Sequence, residues 1–133
     1  MKRKKQNPLH DSGKSSTFAV RNETMYMKTA RHDEIVKAIA DKARAIVPPN
    51  SDVILFGSQA RGDARPDSDW DVLILLDKDR VTTDDIDEYS YPLWEMGLDY
   101  NESINAILYT KNFWRQHVAN PFVKNVTDEG IHL

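Results

Sequence analysis

In a chain of 133 residues, 21 acidic side chains outweigh 18 basic ones for a net charge of −3. That balance argues against binding nucleic acid through bulk charge, and the length suits one domain with one modest core. No cysteine is present, which excludes disulfide frameworks, thiolate catalysis and cysteine zinc sites. No apolar run approaches the roughly 20 residues of a membrane span, so the expectation is a soluble cytoplasmic domain.

Residues 1–30 are rich in Lys, Ser, Thr and Asn, with Pro8 and Gly13 as breakers, and read as a flexible tail. Lys2-Arg3-Lys4-Lys5 is followed by polar residues, so the apolar core of a signal peptide is missing. Gly13-Lys14-Ser15 imitates the end of a P-loop. Its first glycine would fall at Pro8, however, and no strand precedes it. Residues 31–47 read as a helix, because Ile35, Ile39, Ala43 and Ile46 recur at helical spacing. Asp33 and Glu34 suit its first turn and Pro48-Pro49 ends it. His32 is a lone surface histidine.

The run Val53-Ile54-Leu55-Phe56 stops at Gly57, the pattern of a strand at 52–56 entering a tight turn. Ser58 suits an N-cap, with Gln59, Ala60 and Arg61 as helix formers. A glycine turn feeding a helix start leaves backbone N–H groups available to phosphate. A loop over 62–68 follows, in which Pro66 holds Arg65 extended. Asp69 and Asp71 then enter Val72-Leu73-Ile74-Leu75-Leu76. Strand side chains alternate, so both carboxylates point one way, roughly 7 Å apart at Cα. The unbroken apolar run predicts a central strand buried on both faces. Two carboxylates beside a phosphate cradle call for a hard divalent cation. Without one they repel, and one of them holds its proton more tightly than an isolated aspartate.

Nine acidic residues between Asp67 and Glu88 face only Lys78 and Arg80. Part of this is helix chemistry: Thr82 or Thr83 caps, and Asp84, Asp85 and Asp87 favour the positive end. The helix is placed at 84–98 with Ile86, Tyr89, Leu93 and Met96 inward, and Pro92 kinks or splits it. Tyr89, Tyr91 and Trp94 read as packing. A strand at 103–109 and a helix at 113–119 capped by Asn112 come next. Pro121-Phe122-Val123 and a polar C-terminus close the chain. His117 and His132 have no partner at metal-ligand spacing.

Gly57-Ser58-Gln59-Ala60-Arg61-Gly62, followed by Ser68-Asp69-Trp70-Asp71 and an apolar strand, resembles the signature of the polymerase-β-like nucleotidyltransferases. The likeness is greatest to the small stand-alone (minimal) prokaryotic members. It spans most of 31–133, with 56–76 diagnostic, and gives a domain assignment of a tail at 1–30 and a nucleotidyltransferase domain at 31–133. It implies an α/β (α+β) fold, a small mixed sheet with helices mainly on one face. It also implies that Gly57 and Ser58 hold the β- and γ-phosphates of a nucleoside triphosphate. Asp69 and Asp71 become the catalytic ligands of two Mg²⁺ ions. Arg61, Arg65 and Ser68 join the nucleotide-binding set, although Arg61 equally suits a structural ion pair.

One position departs from the family pattern. A third carboxylate is usual on a neighbouring strand, and here Asn105 stands at that place. Glu102 lies three residues away and so on the other face of a regular strand. Substitution by Glu102 or Asp99 from a loop, another means of activating the acceptor, and lapsed catalysis all stay open. A calcium loop starting at Asp67 is rejected, because Val72 and Lys78 occupy its required glycine and glutamate positions.

Three functions follow. The first is a Mg²⁺-dependent transfer of NMP, AMP foremost, from an NTP to an acceptor hydroxyl. The second is an antitoxin-like nucleotide-binding module of the same fold without turnover. The third is a structural partner with no ligand. The resemblance also implies a HEPN-type partner protein, modified on tyrosine; the lack of an obvious second domain points to such a partner or a homodimer, with no membrane involved.

Overall fold

The computed structural model describes the backbone of residues 13–133 and the side chains from Met27 onward. The chain divides into two units, Met1–Val36 and Lys37–Leu133. The reading of 1–30 as a flexible tail lies outside the described residues for 1–12. From Gly13 the backbone is already helical, as part of α1 (Gly13–Ile46), rather than from Arg31. No Gly or Pro interrupts residues 14–47, and the segment holds good helix formers such as Ala, Met, Glu, Lys and Arg. Low apolar content argued for a tail, but helical propensity does not need it.

Along α1, Ile35, Ile39 and Ala43 are buried as the spacing predicts. Val47, not Ile46, takes the next inward place, because a step of four from Ala43 continues the stripe better than a step of three. Within Lys37–Leu133, Arg44 fastens the last turn of this helix to the C-terminus and to the segment after the helix. Its Nε and Nη2 donate to Leu133 O at 3.2 and 2.6 Å, and Nη1 donates to Ser51 O at 3.1 Å.

Four strands form one mixed sheet in the order β3-β2-β1-β4. β1 (Asp52–Phe56) runs antiparallel to β2 (Trp70–Leu76), and β2 runs parallel to β3 (Ile104–Thr110). β4 (Ile131–His132) adds an antiparallel edge beside β1. The apolar run of β2 is buried throughout, as a strand flanked on both sides requires. One sheet face carries Trp70, Val72, Ile74, Ile104 and Ala106; the other carries Asp71, Leu73, Leu75, Asn105 and Ile107.

The segment after β2 splits as Pro92 suggests. α3 (Thr83–Asp85), a π-helical turn (Ile86–Ser90) and α4 (Tyr91–Asp99) follow one another, with Pro92 in the first turn of α4. Thr82 is the cap: its hydroxyl accepts from Asp85 N at 3.2 Å while the Asp85 carboxylate accepts from Thr82 N at 2.9 Å. α4 packs on the Ile104 side of β3, so tightly that a Cβ on Gly97 would stand 3.1 Å from Ile104 Cγ1. Leu93 is buried as predicted, but Ile86 is 47% exposed. The wider π turn carries Asp85 inward and Ile86 out. Tyr91 and Trp94 stack on each other at 5.5 Å instead of packing into the core. With Leu98 they leave an outward stripe that is 53, 43 and 59% exposed in that order.

In the C-terminal region the expected helix at 113–119 starts and ends earlier, and a helix at Pro121–Glu129 and β4 are elements that the sequence reading lacks. Thr110, rather than Asn112, caps α5 (Lys111–Gln116), accepting from Phe113 N at 3.0 Å. α6 (Pro121–Glu129) then starts at Asn120, whose Oδ1 accepts from Phe122 N at 2.8 Å. Asn before Pro is a helix-start signature, and Val123 and Val126 supply the buried stripe. Val126 and Trp114 pack with Ile54, Leu73 and Leu75. So the mixed sheet is as expected, while α5 and α6 cover part of the face opposite α4.

Burial pushes the Asp85 carboxyl up, but its bonds to Lys78 and Thr82 outweigh this and hold it below the usual range. A lowered folded value contributes stability above the unfolded pKa of about 3.9 and loses it as pH falls through the folded value. Asp85→Ala is therefore expected to cost about 1–2 kcal/mol at neutral pH, the scale of a lost helix cap. Urea titrations across the acidic range should show the difference from wild type shrinking.

Candidate active site

β1 ends at Phe56 because the next residue leaves the strand through a conformation reserved for glycine. Gly57 has φ 75° and ψ −160°, a region essentially closed to residues with a side chain. Its carbonyl accepts from Ala60 N and Arg61 N, both at 3.0 Å, starting the single turn of α2 (Ser58–Arg61). The cap position therefore belongs to Gly57 and not to Ser58, and no side chain caps this turn. Ser58 stands at the first helical residue, half-buried, with its carbonyl receiving Gly62 N and Asp63 N at 3.0 and 3.2 Å.

Gly57 also lies directly against Asp71. A Cβ built on it would come 2.5 Å from Asp71 Oδ2. The strand register explains the approach, since Phe56 pairs with Asp71, and Asp71 pairs on its other side with Asn105. One row across the sheet thus reads Phe56, Asp71, Asn105. Asp69 stands just ahead of β2, exposed, and Asp71 is half-buried. Burial first, and the neighbouring Asp69 charge second, hold the Asp71 proton above the usual carboxylate range, with Arg61 opposing. Mutual repulsion is thus present, but it is the lesser cause.

Arg61 is engaged in ion pairs. Its Nη1 meets Glu129 Oε1 at 2.9 Å and its Nε meets Asp63 Oδ2 at 3.3 Å, the structural pairing that the sequence allowed for. Glu129 is the residue that sequence reasoning missed, since it lies on α6. No ion pair among the described residues holds Arg65, which is exposed. Ser68 shapes the loop: its hydroxyl accepts from Arg65 N at 2.7 Å and its carbonyl from Gln59 Nε2 at 3.4 Å. These bonds set the path that delivers Asp69.

Glu102 is not at hand to replace a third carboxylate. Its Oε1 accepts from the indole N–H of Trp70 at 3.0 Å, on the sheet face opposite Asp71. Asp99 ends α4, which packs on that same opposite side. Among the described residues no group of three His, Asp or Glu side chains could surround a metal. His117 stacks on Phe113 at 3.9 Å and His132 is exposed on β4. A pocket of about 490 Å³ lined by Arg80, Tyr109 and Phe113 lies at the other end of β2 and β3.

Residues 33–131 match the family model of the nucleotidyltransferase domain. The chain belongs to the nucleotidyltransferase-domain family. Two proteins of Methanocaldococcus jannaschii, each described as a "putative protein adenylyltransferase", are similar to it. One is 34% identical over 97 residues, spanning 73% of this chain and 88% of the other. The second is 33% identical over 101 residues, spanning 75 and 96%. A solved structure described as a toxin-antitoxin with AMP-PNP aligns over 76% of this chain and 70% of that one, at 18% identity and a TM-score of 0.48. The resemblance read from Gly57 to Asp71 is therefore one of membership. No helix among the described residues is long and apolar enough to cross a membrane.

The donor chemistry suits a divalent ion: the Asp69 charge acts on Asp71, and the missing side chain of Gly57 lets the Asp71 carboxylate lie against the turn. A raised folded pKa means that Asp71 destabilises the metal-free protein at neutral pH and stops doing so as pH falls through that value to below the unfolded one. Asp71→Asn should accordingly raise the melting temperature of metal-free protein at neutral pH, and the gain should vanish in acid. Gly57→Ala should instead lose roughly 1–3 kcal/mol from backbone strain, measured by urea denaturation, and turn the Asp71 carboxylate aside.

Proposed function

We propose that this chain transfers an NMP, AMP foremost, from a nucleoside triphosphate to a hydroxyl on an acceptor protein, in the cytoplasm and with Mg²⁺. The observation that carries this reading is the close approach of the Gly57 turn and the Asp71 carboxylate, which sets a glycine turn beside the acidic pair in a member of the nucleotidyltransferase family. In the reaction an acceptor oxygen attacks the α-phosphorus, the bond from that phosphorus to the α,β-bridging oxygen breaks, and pyrophosphate leaves. The acceptor proton passes to solvent or to a base on the acceptor.

Each residue has a distinct part. Asp69 and Asp71 hold the cation, and a bound divalent ion supplies charge neutralisation on the departing pyrophosphate. The Gly57-Ser58 turn receives the β- and γ-phosphates, and Arg65 reaches a phosphate oxygen from the loop. Arg61, paired with Glu129 and Asp63, anchors α2 to α6, while Ser68 fixes the loop that presents Asp69. Holding the triphosphate in line with the acceptor is the larger share of the work.

Asp69→Asn and Asp71→Asn are each expected to slow pyrophosphate release at least about 100-fold, the scale of losing one preorganised electrostatic group, with the fold retained in circular dichroism. Turnover unchanged by both substitutions would contradict the assignment. A second reading is favoured by Asn105: the same site binds nucleotide without turnover. Nucleotide binding with no pyrophosphate from either wild type or Asn105→Asp would support it.

The acceptor is assigned to a HEPN-type partner or a second copy of the chain. The names of the two archaeal relatives support a protein acceptor, and the exposed Tyr91, Trp94 and Leu98 stripe supports a docking face. Trp94→Ser should release the partner or dissociate the dimer in analytical ultracentrifugation while leaving nucleotide binding unchanged; unchanged assembly would remove the stripe from the interface.

A further inference from the structure

We propose that the site holds one divalent cation firmly per chain and a second only weakly, because Asn105 occupies the sheet position from which another carboxylate would reach it. The inference rests on the nucleotidyltransferase reading of Asp69 and Asp71 and concerns how many ions that site retains.

The register makes the argument. β2 and β3 are parallel, with Asp71 and Asn105 as Cα partners, so their side chains leave the same face about 4.8 Å apart at the backbone. On the other flank Asp71 pairs with Phe56, which offers no donor. Asp71 is thus a carboxylate with an aromatic ring on one side and a neutral amide on the other. The remaining nearby carboxylates are engaged or face away. Asp63 and Glu129 hold Arg61, and Glu102 accepts from Trp70 behind the sheet. No third acidic or imidazole ligand completes a cluster among the described residues.

One Mg²⁺ is well served by this set. It prefers an octahedron built from one or two carboxylates, substrate phosphates and retained waters. A second ion about 3.5–4 Å away would have to share the same two carboxylates and take a neutral oxygen from Asn105, beside another doubly charged centre. An amide oxygen is a hard donor but brings no charge, and ligand charge count tunes affinity over decades. Asn105 is exposed, so an aspartate there buries no new charge and leaves the fold alone.

The test counts ions on the full-length chain with α,β-methylene-ATP, which blocks transfer. Mn²⁺ is titrated and followed by the paramagnetic resonance of the free ion, with thermal melting as the check on folding. Wild type and Asn105→Ala should each bind one Mn²⁺ in the tight range. Asn105→Asp should bind two, the second tightened at least about tenfold, with spin coupling between neighbouring ions that wild type lacks. Two equally tight ions in wild type, or a folded Asn105→Asp that still binds one, would overturn the proposal and leave the enzymatic reading standing. No bound ion in wild type would overturn both.

Discussion

The site depends on one close approach: a methyl group at Gly57 would meet Asp71 Oδ2 at 2.5 Å, so the carboxylate lies where it does because residue 57 has no side chain. A turn that must reverse direction after β1 and a strand that carries an acidic side chain lie against each other here. Because Phe56 is the register partner of Asp71, the position of the turn follows from the strand pairing, without flexible adjustment. Glycine here meets two demands, a backbone conformation that other residues avoid and a clearance that other residues would fill. The glycine turn and the Asp71 side chain are thereby brought together by the strand register.

The rest of the fold keeps that junction rigid. β2 lies between β1 and β3 with its apolar residues buried, so Asp71 projects from an interior strand and not from a mobile loop. Arg61 ties α2 to Glu129 at the end of α6, and the mutual bonds of Arg65 and Ser68 close the loop leading to Asp69. The arrangement has an energetic cost. A half-buried carboxylate next to another is held above its ordinary pKa, a strain that a bound cation would relieve. The apolar cluster around Leu73, Leu75 and Val126 on the same face supplies stability next to a site that opposes it.

Much of this was legible because the informative features are local. The bounds of β1 and the glycine turn follow from apolar patterning and backbone chemistry within a short stretch, whereas the place of Asn105 beside Asp71 was reached only through the family resemblance. The role of Ser58 as a cap did not hold, since the sequence cannot show that Gly57 already occupies the cap position. The π turn was hidden because its extra residue changes the phase of an otherwise ordinary apolar pattern, so Ile86 reads as inward and faces out. α6 left a signal in Asn120-Pro121 and in Val123 and Val126, but its short polar body resembles a tail. The Arg61–Glu129 pair joins residues far apart in the chain, and no local pattern reports such a contact.

The most direct test of the central claim is calorimetric titration of ATP into the folded full-length chain, with and without Mg²⁺. Joint binding by the Gly57-Ser58 turn and the Asp69–Asp71 pair predicts a saturable heat only when both ATP and Mg²⁺ are present, abolished in Asp71→Asn. An equal affinity without the metal, or an unchanged affinity in Asp71→Asn, would contradict it.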